Sequence, residues 1–442
     1  MLPLRRRSRR WISLVSPLLG FVILFQLLRG PQWSLFAQDN TVAHEDDGDF
    51  LCPPMPGIDD VLVVLKTGVT EALEKVPVHL RTTFRCIPHY VIFSDFAEKI
   101  GGVQVHDVLR SVDDEVKQNV PDFNLYNRLQ LYGRTGLLPS DNTQEENGAF
   151  GMPNNPGWKL DKWKFLPMID ESLQRKPDAK WFVFMEADTH IEWPNLMAWL
   201  ARLDPDQPLY LGTETQIADV LFAHGGSGFI ISNPAMRLVS EYRRSRVAEL
   251  DEYTDGHWAG DCVLGKVLAD AGVPLTFSWP LLQNSRLGEV EPLTNAFYRQ
   301  PWCYPIVGFH HLTPLDVEQM WRFDQDWFVK RKHGLLLHSD VFRERIFPEI
   351  TIGSRTDWDN LSLDEQQEIA SVEDCETRCR LDPDCMQYSF THSEEEDGLP
   401  KCLTSNSPRL GIKKPGVQSG WMVQRINATV NAKGVCDEAV WD

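Results

Sequence analysis

Positive charge is scarce in this sequence once the first ten residues are passed. Five of its 44 lysines and arginines lie in MLPLRRRSRR, which leaves 39 to face 63 acidic residues. So acidic a body lacks the basic footprint that nucleic-acid binding requires, and no nucleic-acid partner is expected. No internal repeat is evident. The conspicuous Gly-rich turn, HGGSGFIIS, lacks the Lys-Ser/Thr ending of a P-loop. The cysteines after residue 350 include no C-x2-C pair, which argues against a zinc module there.

Charge of either sign is absent from Trp11 to Leu28 (WISLVSPLLGFVILFQLL). At about 1.5 Å per residue this run spans about 27 Å, enough for a thin bilayer. A cleaved signal peptide would have a shorter apolar stretch and a small-x-small site. Here LRGPQW follows without such a site, so an uncleaved anchor is expected. The arginines before it stay cytosolic. Residues 1–10 then form a cytosolic tail, 11–28 a transmembrane helix and 29–57 a polar, acidic stem, with the rest lumenal or extracellular. In that compartment the nine cysteines should mostly be disulfides, with at least one left over. Sequons at Asn360 and Asn427 agree with such exposure.

At 442 residues the chain suits one large domain and a smaller one. From residue 58, apolar runs (DVLVVLKTG, HYVIFSD, KWFVFME) alternate with helical stretches, among them TEALEKVPVHLRTTF, interrupted by Pro77. The alternation predicts an α/β domain with a parallel sheet over residues 58–350. Beyond it, the spacing C-x3-C-x5-C from Cys375, with Cys402 after an acidic loop, predicts a small disulfide-stapled module over 351–442.

Four stretches carry candidate chemistry. KWFVFMEADTHIEW ends an apolar strand in Glu186 and Asp188. Ligands of open α/β sheets sit at the carboxyl ends of strands, and carboxylates there suit Mg²⁺ or Mn²⁺; the plain alternative is an acidic turn. HGGSGFIIS lets the backbone pass close to a ligand at Gly225, Gly226 and Gly228, or is only a tight strand entry. In HWAGDCVLG, Asp261 begins a helix, either as a first-turn acid or as a general base. In GFHHLTP, His310 and His311 would point to opposite faces of a strand, so at most one would face a metal. Trp193, Trp258 and Trp302 lie beside these motifs and could stack on a sugar ring or belong to the core.

In their order and spacing these motifs, acid-x-Asp after an apolar strand, GGxGF-I-S, D-x-x-LG and F-H-H-x-x-P, resemble the fringe and core-1 β1,3-galactosyltransferase family. The likeness is greatest to fungal members with an EADT motif and a trailing cysteine module, and it covers roughly residues 58–325. It implies a GT-A (Rossmann-like) domain that binds a nucleotide sugar. It also implies Mn²⁺ held by Asp188 and His310 with Glu186 nearby, and Asp261 as the base that deprotonates the acceptor. Gly225, Gly226 and Gly228 would shape the donor and acceptor pocket. Ala187 departs from the family's three consecutive acids, which puts the donor-ribose contacts in doubt.

The implied activity is metal-dependent, inverting transfer from a UDP-sugar to a glycan or glycoprotein hydroxyl, β1,3-linked, by a type II protein of the Golgi membrane. Two rivals stand beside it: an inactive, membrane-tethered binding protein, favoured by Ala187, and a lumenal glycoside hydrolase. Glu186 and Asp188 are too close in sequence to flank a glycosidic bond. In this frame Cys52 pairs with Cys86 and Cys262 with Cys303. The C-terminal run resembles a PAN/apple module, which implies the bridges Cys375–Cys402 and Cys379–Cys385 and leaves Cys436 without an evident partner.

Overall fold

The computed structural model describes residues 50–142, 152, 154–392 and 400–441. The expected cytosolic tail, transmembrane span and most of the stem lie outside them. Among the described residues no helix is long and apolar enough to cross a membrane.

Strand β1 (Val61–Lys66) is buried at all six positions. Successive side chains of a strand point to opposite faces, so Leu62 and Val64 enter one apolar cluster while Val61, Val63 and Leu65 enter another. The strands that follow are β2 (Tyr90–Ser94), β3 (Glu98–Ile100), β4 (Val103–Asp107), β5 (Trp181–Glu186), β6 (His190–Ile191) and β7 (Tyr210–Gly212). After them come β8 (Glu214–Ile217), β9 (Val220–Ala223), β10 (Phe229–Ser232), β11 (Leu275–Phe277) and β12 (Gly308–Phe309). Eight of these form one sheet in the order β11-β7-β10-β5-β1-β2-β4-β3.

β1, β2, β4 and β5 run parallel, as the alternation predicts. β10 instead runs antiparallel to both β5 and β7, so the sheet is mixed. A parallel return needs a crossover, usually a helix, and between β7 and β10 the chain makes only the hairpin β8–β9 and the Gly-rich turn. Helices cover both faces. Phe165–Arg175, Asn233–Arg244 and Gly260–Asp270 pack on the first cluster, and Ala72–Arg81 and Trp193–Leu200 on the second. The helix Ala72–Arg81 continues through Pro77. The bond that Pro77 forfeits would reach Leu73, an exposed residue whose carbonyl water can serve. This layered α/β arrangement fits a GT-A-like fold.

Toward the C-terminus β13 (Ser354–Asp359), β14 (Asp364–Gln366), β15 (Gln387–Thr391), β16 (Lys401–Ser405) and β17 (Ile412–Trp421) make an antiparallel sheet. Cys375–Cys402 and Cys379–Cys385 pin the helix Val372–Leu381 to it, and Cys52 pairs with Cys86. These three bridges are the expected ones. The fourth is not: Cys303 pairs with Cys436, and Cys262 is free and buried. Cys262 sits on the inner face of its helix, in a cluster with Val220, Phe222 and Ala259. The helix Val423–Lys433 packs Ile426 and Val430 with Trp302, Phe342 and Ile346, which brings Cys436 to Cys303. The sequon asparagine Asn360 is fully buried and donates to the carbonyls of Tyr388 and Gly420. Asn427 is exposed.

Candidate active site

β1 and β5 both end in charge, and their register sets Lys66 beside Glu186. Lys66 Nζ lies 3.1 Å from a Glu186 carboxylate oxygen and also pairs with Asp161. Asp161 in turn meets Lys164 at 3.2 Å, and Lys164 meets Asp95 at 3.0 Å. Burial opposes the charge on Lys66, but Asp161 and Glu186 more than restore it and hold the ammonium protonated. Burial raises the pKa of Glu186, and Lys66 offsets this only in part. The strand end is therefore a chain of alternating charges, buried at Lys66, Lys164 and Asp95 and half-buried at Asp161 and Glu186, and such pairing is what buried ions require.

Beyond Glu186 the EADT turn is fastened from several sides. The Thr189 hydroxyl accepts from Glu186 N at 3.1 Å and donates to the carbonyl of Gly226 at 2.7 Å, stapling this turn to the Gly-rich one. His79 Nε2 lies 2.9 Å from the Ala187 carbonyl. The Ala187 side chain is 3% exposed and packs in the apolar cluster with Met185 and Ile191. A carboxylate at 187 would be directed into that cluster.

Asp188 faces the opposite way, toward His310. Its Oδ1 is 3.4 Å from His310 Nε2 and its Oδ2 is 3.1 Å from Lys75 Nζ. Burial would raise its pKa, yet the hydrogen bond and charge of His310, together with Lys75, hold it well below the usual carboxylate range. β12 pairs Phe309 with His190 and ends there, so the alternation assumed for the two histidines does not apply. His311 has φ 58°, and its ring stacks on that of His310 at 3.7 Å. Ligand atoms of Asp188, His310 and His311 all lie within 4.8 Å of one another. His310 Nδ1 is 3.0 Å from Asn284 Oδ1. That contact fixes the ring with its Nε2 turned toward Asp188.

The Gly-rich turn fits between these groups. Gly225 N donates to Asp261 Oδ2 at 2.8 Å, a Cβ on Gly226 would fall within the His310 ring, and Gly228 has φ 78°. Asp261 also accepts from Cys262 N at 2.9 Å, and burial pushes its pKa up to about 6. A cavity of about 360 Å³ is lined by Lys66, Glu186, Gly226, Asp261, Trp158 and Trp258, among others. The Trp158 and Trp258 rings stack 6.0 Å apart. Trp193 and Trp302 are 7% and 2% exposed and belong to the core. Asp188, His310 and His311 do not line the cavity; Glu186 and Gly226 connect it to them.

The structure thus gathers every site residue named from the sequence: Glu186, Asp188, Gly225, Gly226, Gly228, Asp261 and His310. Sequence reading missed His311, Asn284, Trp158, Lys75 and the Lys66–Asp161–Lys164 chain. Only Lys66 left a signal, as the lone charge closing VLVVLK just as Glu186 closes WFVFME. Residues 162–300, which hold the acidic turn, the Gly-rich turn and Asp261, match the model of a family described as Fringe-like, a glycosyltransferase family.

Proposed function

We propose that this protein is a metal-dependent, inverting glycosyltransferase. It moves a sugar, galactose or an N-acetylhexosamine, from a UDP-sugar to a hydroxyl of a glycan or glycoprotein, forming a β1,3 linkage. One observation carries the reading: Asp188 and His310, from opposite ends of the motif series, meet at 3.4 Å next to a cavity that holds Glu186 and Asp261. Asp188, His310 and His311 would hold the divalent ion, which we take as Mn²⁺; a mixed carboxylate–imidazole set suits a borderline ion. When bound, such an ion neutralises the charge that develops on a departing diphosphate.

The chain's own residues do the rest. Asp261, fixed by two backbone amides, takes the proton of the acceptor hydroxyl. Attack from the side opposite the leaving group inverts the anomeric carbon without a covalent intermediate. Trp158 and Trp258 offer ring faces for stacking. Glu186, engaged by Lys66, is not a free partner for Asp261 in a two-carboxylate hydrolase. The inactive-binder reading rested on Ala187, which points away from the cavity. We further propose a type II Golgi topology, anchored by residues 11–28, and a PAN/apple-like identity for the C-terminal sheet.

The test is incubation of the protein with a panel of UDP-sugars and Mn²⁺. Turnover with one donor, abolished in Asp188→Asn and in Asp261→Asn, is the expected result. Absence of binding to every donor in calorimetry would overturn the proposal.

A further inference from the structure

Three acidic and basic side chains outside this site meet in the protein interior. His190 and Glu192 stand two positions apart, and Asp324 ends the helix Pro314–Asp324. His190 Nε2 lies 3.0 Å from Asp324 Oδ2 and 3.4 Å from Glu192 Oε1. The side chains of His190, Glu192 and Asp324 are 2%, 0% and 13% exposed. Both oxygens of Glu192, Oδ1 of Asp324 and Nδ1 of His190 are buried without a hydrogen-bond partner. Among the described residues no lysine or arginine pairs with either carboxylate.

Glu192 buries a carboxylate of which neither oxygen has a hydrogen-bond partner, and an unsatisfied buried carboxylate is among the costliest groups a fold can carry. A divalent cation balances two carboxylates and a neutral imidazole. The donor edges agree with this: metal bonds of about 2.0–2.1 Å in a tetrahedron set edges of about 3.3 Å.

We infer that His190, Glu192 and Asp324 form a second, buried metal site that holds a zinc ion. His190 Nε2, Asp324 Oδ2 and a Glu192 oxygen supply three donors. A buried set of nitrogen and oxygen donors suits zinc, whereas Mg²⁺ retains several waters and Glu192 is wholly enclosed. His190 is paired with Phe309, the neighbour of His310. The ion would therefore clamp the helix Pro314–Asp324 to the ladder that presents Asp188 and His310.

The test reads metal content and is independent of any transferase activity. The full chain carrying Asp188→Asn, which disables the other cluster, is loaded with zinc, freed of loose ions by gel filtration, and assayed by elemental mass spectrometry. About one zinc per chain should remain, and adding Glu192→Gln should weaken its retention at least about tenfold, as loss of a ligand must exceed loss of an outer-shell partner. Should Glu192→Gln not fold, cobalt loading of the Asp188→Asn chain decides, by the visible absorption of a four-coordinate ion. An Asp188→Asn chain that holds neither zinc nor cobalt overturns the inference, and so does a folded Glu192→Gln form with unchanged zinc.

Discussion

The ring of His310 fills the space that a side chain on residue 226 would need: a Cβ built on Gly226 falls within it. Glycine here serves a close approach between turn and imidazole rather than a special backbone angle. Gly226→Ala must push His310 away from Asp188. A misplacement of about 1 Å costs on the order of 10²-fold in rate, so kcat/KM for sugar transfer should fall by about that factor and the Mn²⁺ requirement should rise. An alanine variant with unaltered metal dependence would contradict the proposed pairing of Asp188 and His310.

Asp261 predicts a pH dependence. Its carboxyl titrates near 6 in the folded protein and must be ionised to act as a base. Hence kcat/KM should drop about tenfold per unit below that pH. The same residue affects stability. An unfolded aspartate titrates near about 3.9, so between the two values the folded state binds more protons. Stability then falls as pH rises, by about 1.4 kcal/mol per unit. Wild type compared with Asp261→Asn should lose about 2 kcal/mol between pH 4 and 6 in urea unfolding, and only a few tenths more by pH 7. A difference that stays flat across that range would remove the buried-base assignment.

Lys66 is the hinge of the buried charge chain. Lys66→Met leaves Glu186 without its ion-pair partner and Asp161 with only Lys164. Breaking a buried pair on one side costs about 3–5 kcal/mol, to be read in thermal or urea unfolding. The double variant Lys66→Met/Glu186→Gln should recover part of that loss, because it removes the orphaned charge as well. Equal stability of the single and double variants would show that Lys66 and Glu186 are not coupled.

These outcomes bear on what could be read from residues alone. β5 and β1 were legible because they are apolar at every position until a terminal charge. The bridges Cys375–Cys402 and Cys379–Cys385 were legible only through the likeness of this run to a PAN/apple module, since nearness in sequence would have paired Cys375 with Cys379. His311 was not: the alternation rule holds inside a strand, and β12 stops at Phe309. Nor was the reversal of β10, since strand direction depends on what connects the strands. The Lys66–Asp161–Lys164–Asp95 chain and the His190–Glu192–Asp324 cluster join residues far apart in sequence. Each looks like an ordinary surface charge until the fold buries it.

The cysteine pairing gives a direct chemical check. Non-reducing peptide mapping should recover Cys303 joined to Cys436 and a single thiol at Cys262, unreactive to alkylation until the protein is denatured. Replacing both Cys303 and Cys436 by serine should lower stability by about 2–5 kcal/mol. A mapped Cys262–Cys303 bridge would mean that this corner of the fold is wrongly drawn.

The bridge between Cys303 and Cys436 also sets a waiting time. Its two ends are 133 residues apart, and ribosomes add about 5–20 residues per second. Cys303 therefore spends on the order of ten seconds as a thiol, with Cys262 already made. In the folded chain Cys262 is enclosed beside Phe222 and Ala259, so once that corner has packed its thiol is out of reach of Cys303 and the choice falls to Cys436.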